Sequence, residues 1–215
     1  MIEAVFFDMD GTLIDTEILY AKALKVTLEE KGINLSLDEV IAIVYGRSWV
    51  GVFETVEKKF PARFHNAEEL EVKTTLIFNK LIENDDFIIQ SSLNLLTELA
   101  TQLPIAIVSG SSRVHLKEFL ERMKISHLVD FFIGSEDCKK SKPSPEGYLK
   151  AAKKMKVSPV RCLVFEDSLV GVQAAKAAKM KCVALKREGA PSQDVSAADE
   201  IMIDLSLFDK SQLSF

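Results

Sequence analysis

Cysteine and histidine are both scarce in this chain, with three residues of each among 215. The cysteines, Cys138, Cys162 and Cys182, lack the spacing of a metal finger, and their odd number makes reduced thiols the simplest interpretation. The histidines share no metal-ligand spacing either. The sequence therefore gives no indication of a zinc module or of a fold held together by disulfides.

Long apolar runs are also missing, since no stretch reaches the about 18 to 20 residues that span a bilayer. The first residues enter a strand pattern rather than a basic, apolar leader, so we expect a cytoplasmic protein without a membrane partner. Basic stripes are missing as well and the net charge is −5, which argues against nucleic-acid binding. The hydrophobic fraction of 47% excludes general disorder and allows one sizeable core with a small accessory domain.

Two carboxylates stand at the end of the first predicted strand. The near-continuous apolar run from Ile2 to Phe7 is typical of a parallel strand buried on both faces, and Asp8 and Asp10 follow it. Such sheets bind ligands at the carboxyl ends of their strands. Neighbouring carboxylates need a cation, a shared proton or hydrogen-bond donors to compensate their charge, and a hard divalent metal such as Mg²⁺ is the simplest choice. Gly11 allows a sharp turn. Taken alone, however, Asp-x-Asp-Gly is more often a turn that closes a strand.

A hydroxyl-rich segment, Ser109-Gly110-Ser111-Ser112, follows a second predicted strand and opens an amphipathic helix. A small hydroxyl and free backbone N–H groups at a helix start suit a phosphate group. Judged alone, these serines are better interpreted as loop and N-cap residues.

A rigid Pro-x-Pro corner follows the third predicted strand. Ser144 is predicted to cap a helix with Pro145 at its first position, which would fix the direction of the preceding Lys142. The neighbouring Lys139 and Lys140 are expected to be solvated surface charges.

Acidic residues end a fourth predicted strand, where Glu166 and Asp167 precede a helix that runs to Lys179. Acids at this strand end can complete a metal site begun by the two aspartates of the first strand. Alternatively, Asp167 or Ser168 only caps the helix. Four modest signals that each follow a strand, in one consistent order, are much stronger together than any of them alone.

In this order, the four segments resemble the motifs of the haloacid dehalogenase superfamily of phosphotransferases. The matching residues, from the first motif to the fourth, are Asp8 to Thr12, Ser109, Lys142 and Glu166-Asp167. The pattern from Phe165 to Ala175 is similar to the subgroup that contains β-phosphoglucomutases and small phosphatases. The resemblance implies an α/β fold, namely a doubly wound, Rossmann-like parallel sheet with an inserted small α-helical cap domain.

The resemblance also implies a set of roles. Asp8 would attack phosphorus and form an aspartyl-phosphate, while Asp10 would protonate the leaving oxygen and later deprotonate water. Mg²⁺ would be ligated by the side chains of Asp8 and Asp167 and by the backbone carbonyl of Asp10, with Glu166 bound directly or through water. The implied substrate-binding residues of the core are Gly11, Thr12, Ser109, Gly110 and Lys142, of which Ser109 and Lys142 would also stabilise the charge that moves during transfer.

A change of pattern marks the inserted domain. Strand–helix alternation stops after the first motif, so we predict a core domain at residues 1–15 and 85–215 and a cap domain at residues 16–84. The cap helices are predicted from Thr16, after the capping box Ser36-x-x-Glu39, and at residues 50–59 and 67–82.

A break in the helical pattern, Tyr45-Gly46-Arg47-Ser48, makes Arg47 the leading candidate for contacting a distal anionic or hydroxylated part of the substrate. A surface-loop arginine is an equally good interpretation. Mutases of the subgroup usually carry a histidine on the first cap helix, where this chain has Tyr20, and this favours hydrolysis. Lys179 stands at a usual glycine position and is expected to be strained if its backbone is left-handed.

The predicted function is therefore a Mg²⁺-dependent phosphatase for a small phosphorylated metabolite, with sugar phosphates as the favoured class. The expected partner is a small-molecule phosphomonoester, and the chain is expected to be a monomer. The alternatives are a β-phosphoglucomutase-like phosphotransferase and, less favoured, a signalling receiver module. The Asp-x-Asp pair, the inserted helices and the length of 215 residues count against the receiver module.

Overall fold

The computed structural model describes residues 1–44, 49–83, 87–188, 190 and 193–214, and only the backbone of residue 17. The chain divides into two compact units, Met1–Ile14 with Ile88–Phe215, called the core unit, and Asp15–Phe87, called the helical unit. Arg47, the candidate for substrate selection, lies outside the described residues. Within the part that is described, no helix has both the length and the apolar character that crossing a membrane requires.

The core unit is built on six parallel strands in the order β3-β2-β1-β4-β5-β6. Strand β1 lies between β2 and β4, with Phe6 opposite Ala106 on one side and Val164 on the other. The chain therefore winds outward from β1 in both directions, and such a switch point is where an open α/β sheet leaves a crevice for ligands. The strands are β1 Ala4–Phe7, β2 Ile105–Val108, β3 Phe131–Ile133, β4 Cys162–Glu166, β5 Lys181–Leu185 and β6 Glu200–Met202.

Four α-helices connect these strands in the described part of the core unit, and the predicted doubly wound α/β class is confirmed. Every residue of β1, β2 and β4 is buried, as expected for apolar strands covered on both faces. Burial of their side chains removes apolar surface from water at roughly 25 cal/mol per Å². The helices of the core unit are α5 Gln90–Leu99, α6 Arg113–Arg122, α7 Glu146–Met155 and α8 Leu169–Ala177.

In the core unit, two helix ends differ from the prediction. Helix α7 begins at Glu146, because Pro145 has a ψ of 1° and occupies the N-cap position rather than the first helical position. Ser144 still accepts a hydrogen bond from the Glu146 N–H at 3.3 Å. Helix α8 ends at Ala177 rather than Lys179. Lys179 has a φ of 62°, so the condition for backbone strain at this usual glycine position is met.

The helical unit has its own apolar core. Its helices are α1 Thr16–Glu29, α2 Leu37–Val44, α3 Trp49–Lys59 and α4 Ala67–Leu81. The predicted capping box is confirmed, since the Ser36 N–H donates to Glu39 Oε2 at 2.8 Å and the Glu39 N–H donates to Ser36 Oγ at 3.3 Å. Buried side chains from the first three helices, such as Leu24, Val40 and Val56, form the centre of this core.

Within each unit, the two chain segments at the domain boundary are paired with each other. In the core unit, Ile14 forms an antiparallel bridge with Ile88. In the helical unit, the Asp15 N–H donates to the Phe87 carbonyl at 2.7 Å. The chain therefore leaves the sheet and returns to it through two neighbouring segments.

Candidate active site

The loop after β1 is held tightly against β4. The Asp8 N–H donates to the Phe165 carbonyl at 2.9 Å, so the backbone of Asp8 extends the pairing of the two strands. Gly11 has a φ of 87°, and its N–H donates to the Ile14 carbonyl at 2.7 Å. A Cβ at this position would lie 2.0 Å from Asp167 Oδ2. Glycine is therefore needed here both for the turn and for the approach of the carboxylate.

Lys142 connects the ends of three strands. Its Nζ lies 2.5 Å from Asp8 Oδ1, 2.5 Å from Glu166 Oε1 and 3.0 Å from the Val108 carbonyl. The peptide bond between Lys142 and Pro143 is cis. An ammonium group has three N–H donors, and each of them has an acceptor here.

Burial and charge–charge attraction have opposite effects on the pKa values of Asp8 and Lys142. Burial raises the pKa of Asp8 well above its usual value; Lys142 opposes this shift, and the surrounding carboxylates reinforce it. Burial acts to lower the pKa of Lys142, but attraction to Asp8 and Glu166 outweighs it and the pKa is raised. The lysine therefore stays charged, and its single charge does not balance the neighbouring acids. A further cation beside Asp8 would oppose the rise in the pKa of this carboxyl.

Three carboxylates could supply the ligands for that cation. Asp8, Glu166 and Asp167 each offer an oxygen, and these oxygens lie within 4.8 Å of one another. The Thr12 hydroxyl, which is buried, donates to Asp167 Oδ1 at 3.3 Å. Carboxylate oxygens are the donors that Mg²⁺ and Ca²⁺ prefer, so this donor set fits a hard divalent cation.

Asp10 is held by two hydroxyl groups from the loop after β2. Ser109 Oγ donates to Asp10 Oδ2 at 3.2 Å, and Ser111 Oγ donates to the same oxygen at 2.5 Å. The Ser111 N–H in turn donates to Ser109 Oγ at 2.9 Å. The structure thus brings Ser109 to Asp10, as the motif order suggested, and adds Ser111. In sequence, Ser111 has no signal beyond that of a loop or N-cap residue, although it lies only two residues after Ser109.

The start of α6 differs from the expectation of free N–H groups for a phosphate. The Arg113 N–H donates to Glu136 Oε2 at 3.0 Å, and the His115 N–H donates to Ser112 Oγ at 3.3 Å. Glu136 reaches this position because the Ser135 N–H is bonded to the Ser111 carbonyl at 3.0 Å. The Arg113 and His115 N–H groups are therefore not free for a phosphate, and Ser112 is the N-cap of α6, as the preferred interpretation of these serines expects.

At the end of β4, capping and the acidic site involve different residues. The Gly171 N–H donates to Ser168 Oγ at 3.0 Å, so Ser168 is the N-cap of α8 while Asp167 faces Gly11 and Thr12. Gly171 itself is packed against the neighbouring acid, since a Cβ there would lie 1.9 Å from Glu166 Oε1. The sequence pattern included Gly171 but did not reveal this contact.

Tyr148 is a second site residue that the sequence analysis did not identify. Its hydroxyl donates to Glu166 Oε1 at 2.8 Å, and its ring lies in the apolar core with 1% exposure. Burial raises the pKa of this phenol well above its usual value, with Glu166 contributing, so the hydroxyl remains a donor. In sequence, Tyr148 is indistinguishable from an ordinary apolar-face residue of α7.

A cavity of about 280 Å³ borders the candidate phosphate-binding groups. Its lining includes Ser109, Gly110, Lys142 and Tyr148. Lys139 and Lys140 also line it, and both are exposed, as expected. The core unit therefore has space for a small ligand beside these groups.

Comparison with known proteins agrees with this geometry. Residues 5–185 match the family of haloacid dehalogenase-like hydrolases. The chain is 27% identical to a fructose-1-phosphate phosphatase, YqaB, from Escherichia coli (strain K12), with 83% of this chain and 94% of that protein covered. It is 28% identical to a phosphorylated carbohydrates phosphatase from Thermotoga maritima, with 82% and 81% covered.

A solved structure is similar over almost the whole chain. It is a haloacid dehalogenase family hydrolase from Deinococcus radiodurans R1 with bound phosphate and sodium. The TM-score is 0.80 at 26% identity, with 95% of this chain and 92% of that chain covered. The family match spans all four strand-end segments, from Asp8 to Asp167. The chain is therefore an enzyme that belongs to the haloacid dehalogenase-like hydrolase family.

Proposed function

We propose that this hydrolase is a Mg²⁺-dependent phosphatase that removes the phosphoryl group of a small phosphorylated metabolite through an aspartyl-phosphate at Asp8. The proposal rests on the position of Asp8. Its Oδ1 lies 2.5 Å from Lys142 Nζ, and its carboxylate lies beside those of Glu166 and Asp167. The names of the two phosphatases compared above favour a sugar phosphate as the substrate class.

Asp8 is the proposed nucleophile. One of its carboxylate oxygens forms a bond to phosphorus while the bond from phosphorus to the leaving oxygen breaks. Lys142 holds Oδ1, which orients the carboxylate and stabilises its charge. Water then attacks the aspartyl-phosphate, which releases inorganic phosphate and restores Asp8.

Asp10 is the proposed acid and base. It gives a proton to the leaving oxygen in the first step and takes one from the attacking water in the second. The hydroxyls of Ser109 and Ser111 both donate to Oδ2, which orients the carboxyl group. One protonated oxygen can therefore face the reacting atoms while the other stays hydrogen-bonded.

The remaining core candidates are assigned to phosphoryl binding. Ser109, Gly110 and Lys142 border the cavity, and Gly11 forms the turn beside Asp8. Thr12 is fully buried and bonded to Asp167, which favours a role in steadying the loop over contact with substrate.

Mg²⁺ is the proposed cofactor, which the side chains of Asp8 and Asp167 and the carbonyl of Asp10 would hold, with Glu166 bound directly or through water. When bound, it would neutralise the excess negative charge around Asp8 and on the phosphoryl oxygens.

Phosphate release from a panel of phosphorylated metabolites, with Mg²⁺ and with a chelator, tests the proposal. We expect turnover of several sugar phosphates that falls by about 1,000-fold or more in the chelator, because metal charge stabilisation is worth several kcal/mol. Interconversion of sugar monophosphates that depends on a bisphosphate would instead indicate a mutase. Slow self-dephosphorylation with no turnover would indicate a receiver module, and full activity in the chelator would remove the cation from the mechanism.

Arg47 is proposed to contact the distal part of the substrate. We expect Arg47→Ala to change the ratio of kcat/KM between anionic and neutral sugar phosphates by about tenfold, which is the scale of one charge-assisted hydrogen bond. A suitable control is Arg63→Ala, because Arg63 is an exposed arginine of the same unit that donates to the Lys31 carbonyl. An unchanged ratio in the Arg47 variant would exclude this contact.

A further inference from the structure

Tyr148 has a feature that the proposed chemistry leaves unused. Its ring is stacked near Phe6, with a centroid distance of 6.5 Å, and provides apolar packing that phenylalanine would provide equally well. The hydroxyl group adds one contact, the hydrogen bond of 2.8 Å to Glu166 Oε1. Because an unpaired buried hydroxyl is costly, the position requires this partner.

Glu166 is surrounded by donors on both oxygens. Oε1 accepts from Tyr148 and Lys142. Oε2 accepts from the Asp167 N–H at 3.1 Å, the Ser168 N–H at 3.3 Å and Ser168 Oγ at 3.1 Å. The side chain is fully buried, so this set of donors fixes its orientation.

The shared oxygen links Tyr148 to the nucleophile. Lys142 divides its three N–H groups among Asp8, Glu166 and the Val108 carbonyl. An oxygen that already accepts a hydrogen bond from the phenol attracts the ammonium less strongly than a bare carboxylate oxygen does. The Tyr148 hydroxyl therefore weakens the hold of Glu166 on Lys142 and leaves the ammonium available on the Asp8 side.

We propose that Tyr148 is a positioning residue, whose hydroxyl shares Glu166 Oε1 with Lys142 and so keeps the lysine ammonium directed at Asp8 and at the phosphoryl group. This inference rests on the proposed phosphatase function for its kinetic consequence. Tyr148 borders the cavity, but its hydroxyl is bonded to Glu166 and reaches the reacting atoms only through Glu166 and Lys142. Loss of the hydroxyl is therefore expected to affect the transition state rather than substrate binding.

Tyr148→Phe tests the proposal because it removes the hydroxyl and keeps the ring. We expect kcat to fall by about tenfold, with KM unchanged within about twofold, which corresponds to about 1.4 kcal/mol of activation free energy. Ser92→Ala is the matched control, since Ser92 Oγ is a buried hydroxyl of the core unit without a hydrogen-bond partner among the described groups. Its kcat should not change.

Crystal structures of the wild type and of Tyr148→Phe provide a readout that does not depend on activity. We expect Lys142 Nζ to move away from Asp8 Oδ1 and to remain on Glu166 in the variant. An unchanged Lys142 position, an unchanged kcat, a change confined to KM, or a variant that does not fold would each overturn the proposal. A wild-type protein that releases no phosphate would overturn the proposed function instead, and the two structures would still decide the role of Tyr148.

Discussion

Replacing Asp8 by asparagine is expected to lower phosphate release by about 10⁴-fold or more, since a neutral amide oxygen is a very weak nucleophile. The side chain keeps its shape, and its Oδ1 can still accept a hydrogen bond from Lys142. The folded protein should therefore persist, and the measurement is steady-state phosphate release in saturating Mg²⁺.

Measuring the stability of Asp8→Asn shows whether a loss of activity comes from the missing nucleophile or from unfolding. Folding raises the pKa of Asp8. At a pH above the usual pKa of the group, this carboxyl therefore destabilises the folded state, because the folded state must either bury the charge or bind a proton. The midpoint of unfolding in a chelator at neutral pH is thus not expected to fall. Asp194→Asn is the control, because Asp194 is exposed and bonded within its own turn to the Ser196 N–H. Full activity of Asp8→Asn would refute the nucleophile assignment.

Gly171→Ala is expected to have the second largest effect. The new Cβ would lie 1.9 Å from Glu166 Oε1 and 2.1 Å from Oε2, so the carboxylate must move. Movement takes Glu166 out of the donor set that it forms with Asp8 and Asp167, and away from the Ser168 N–H. We expect kcat to fall by about 100-fold and the free energy of unfolding to fall by about 2 kcal/mol, the scale of overpacking and of a disturbed buried ion pair.

The sign of the change in the free energy of unfolding of Gly171→Ala distinguishes the clash with Glu166 from an ordinary helix substitution. An alanine inside a helix normally stabilises it by roughly 0.5–1 kcal/mol relative to glycine, so a loss points to the clash with Glu166. Val170→Ala, at the exposed neighbouring position of α8, is the control for the helix itself. Chemical denaturation and kcat measured on both variants check the prediction, and a Gly171→Ala protein more stable than the wild type would contradict it.

The strand ends could be predicted from the sequence because their signal is local. Buried parallel strands appear as short apolar runs, and the polar residues that follow them necessarily meet at one edge of the sheet. Asp8, Lys142 and Glu166 were found in this way, and the structure places them within hydrogen-bonding distance of one another through the lysine.

Tyr148, Ser111 and Glu136 could not be predicted as site residues, because their contacts with the site depend on the three-dimensional packing of distant segments. Tyr148 has the sequence appearance of a core residue, and only the approach of α7 to β4 gives its hydroxyl a carboxylate partner. Ser111 and Glu136 depend in the same way on how the segments after β2 and β3 fold over each other. The start of α7 was misplaced by one residue because Pro145 suits both the N-cap and the first turn.

The paired chain crossing at Ile14 and Ile88 has a consequence for how this protein can change over time. The helical unit is inserted between two neighbouring chain segments, so it can be lengthened, shortened or replaced without a change in the order of the strands. The strand-end residues of the core unit lie outside that insertion, so such a change leaves them in place.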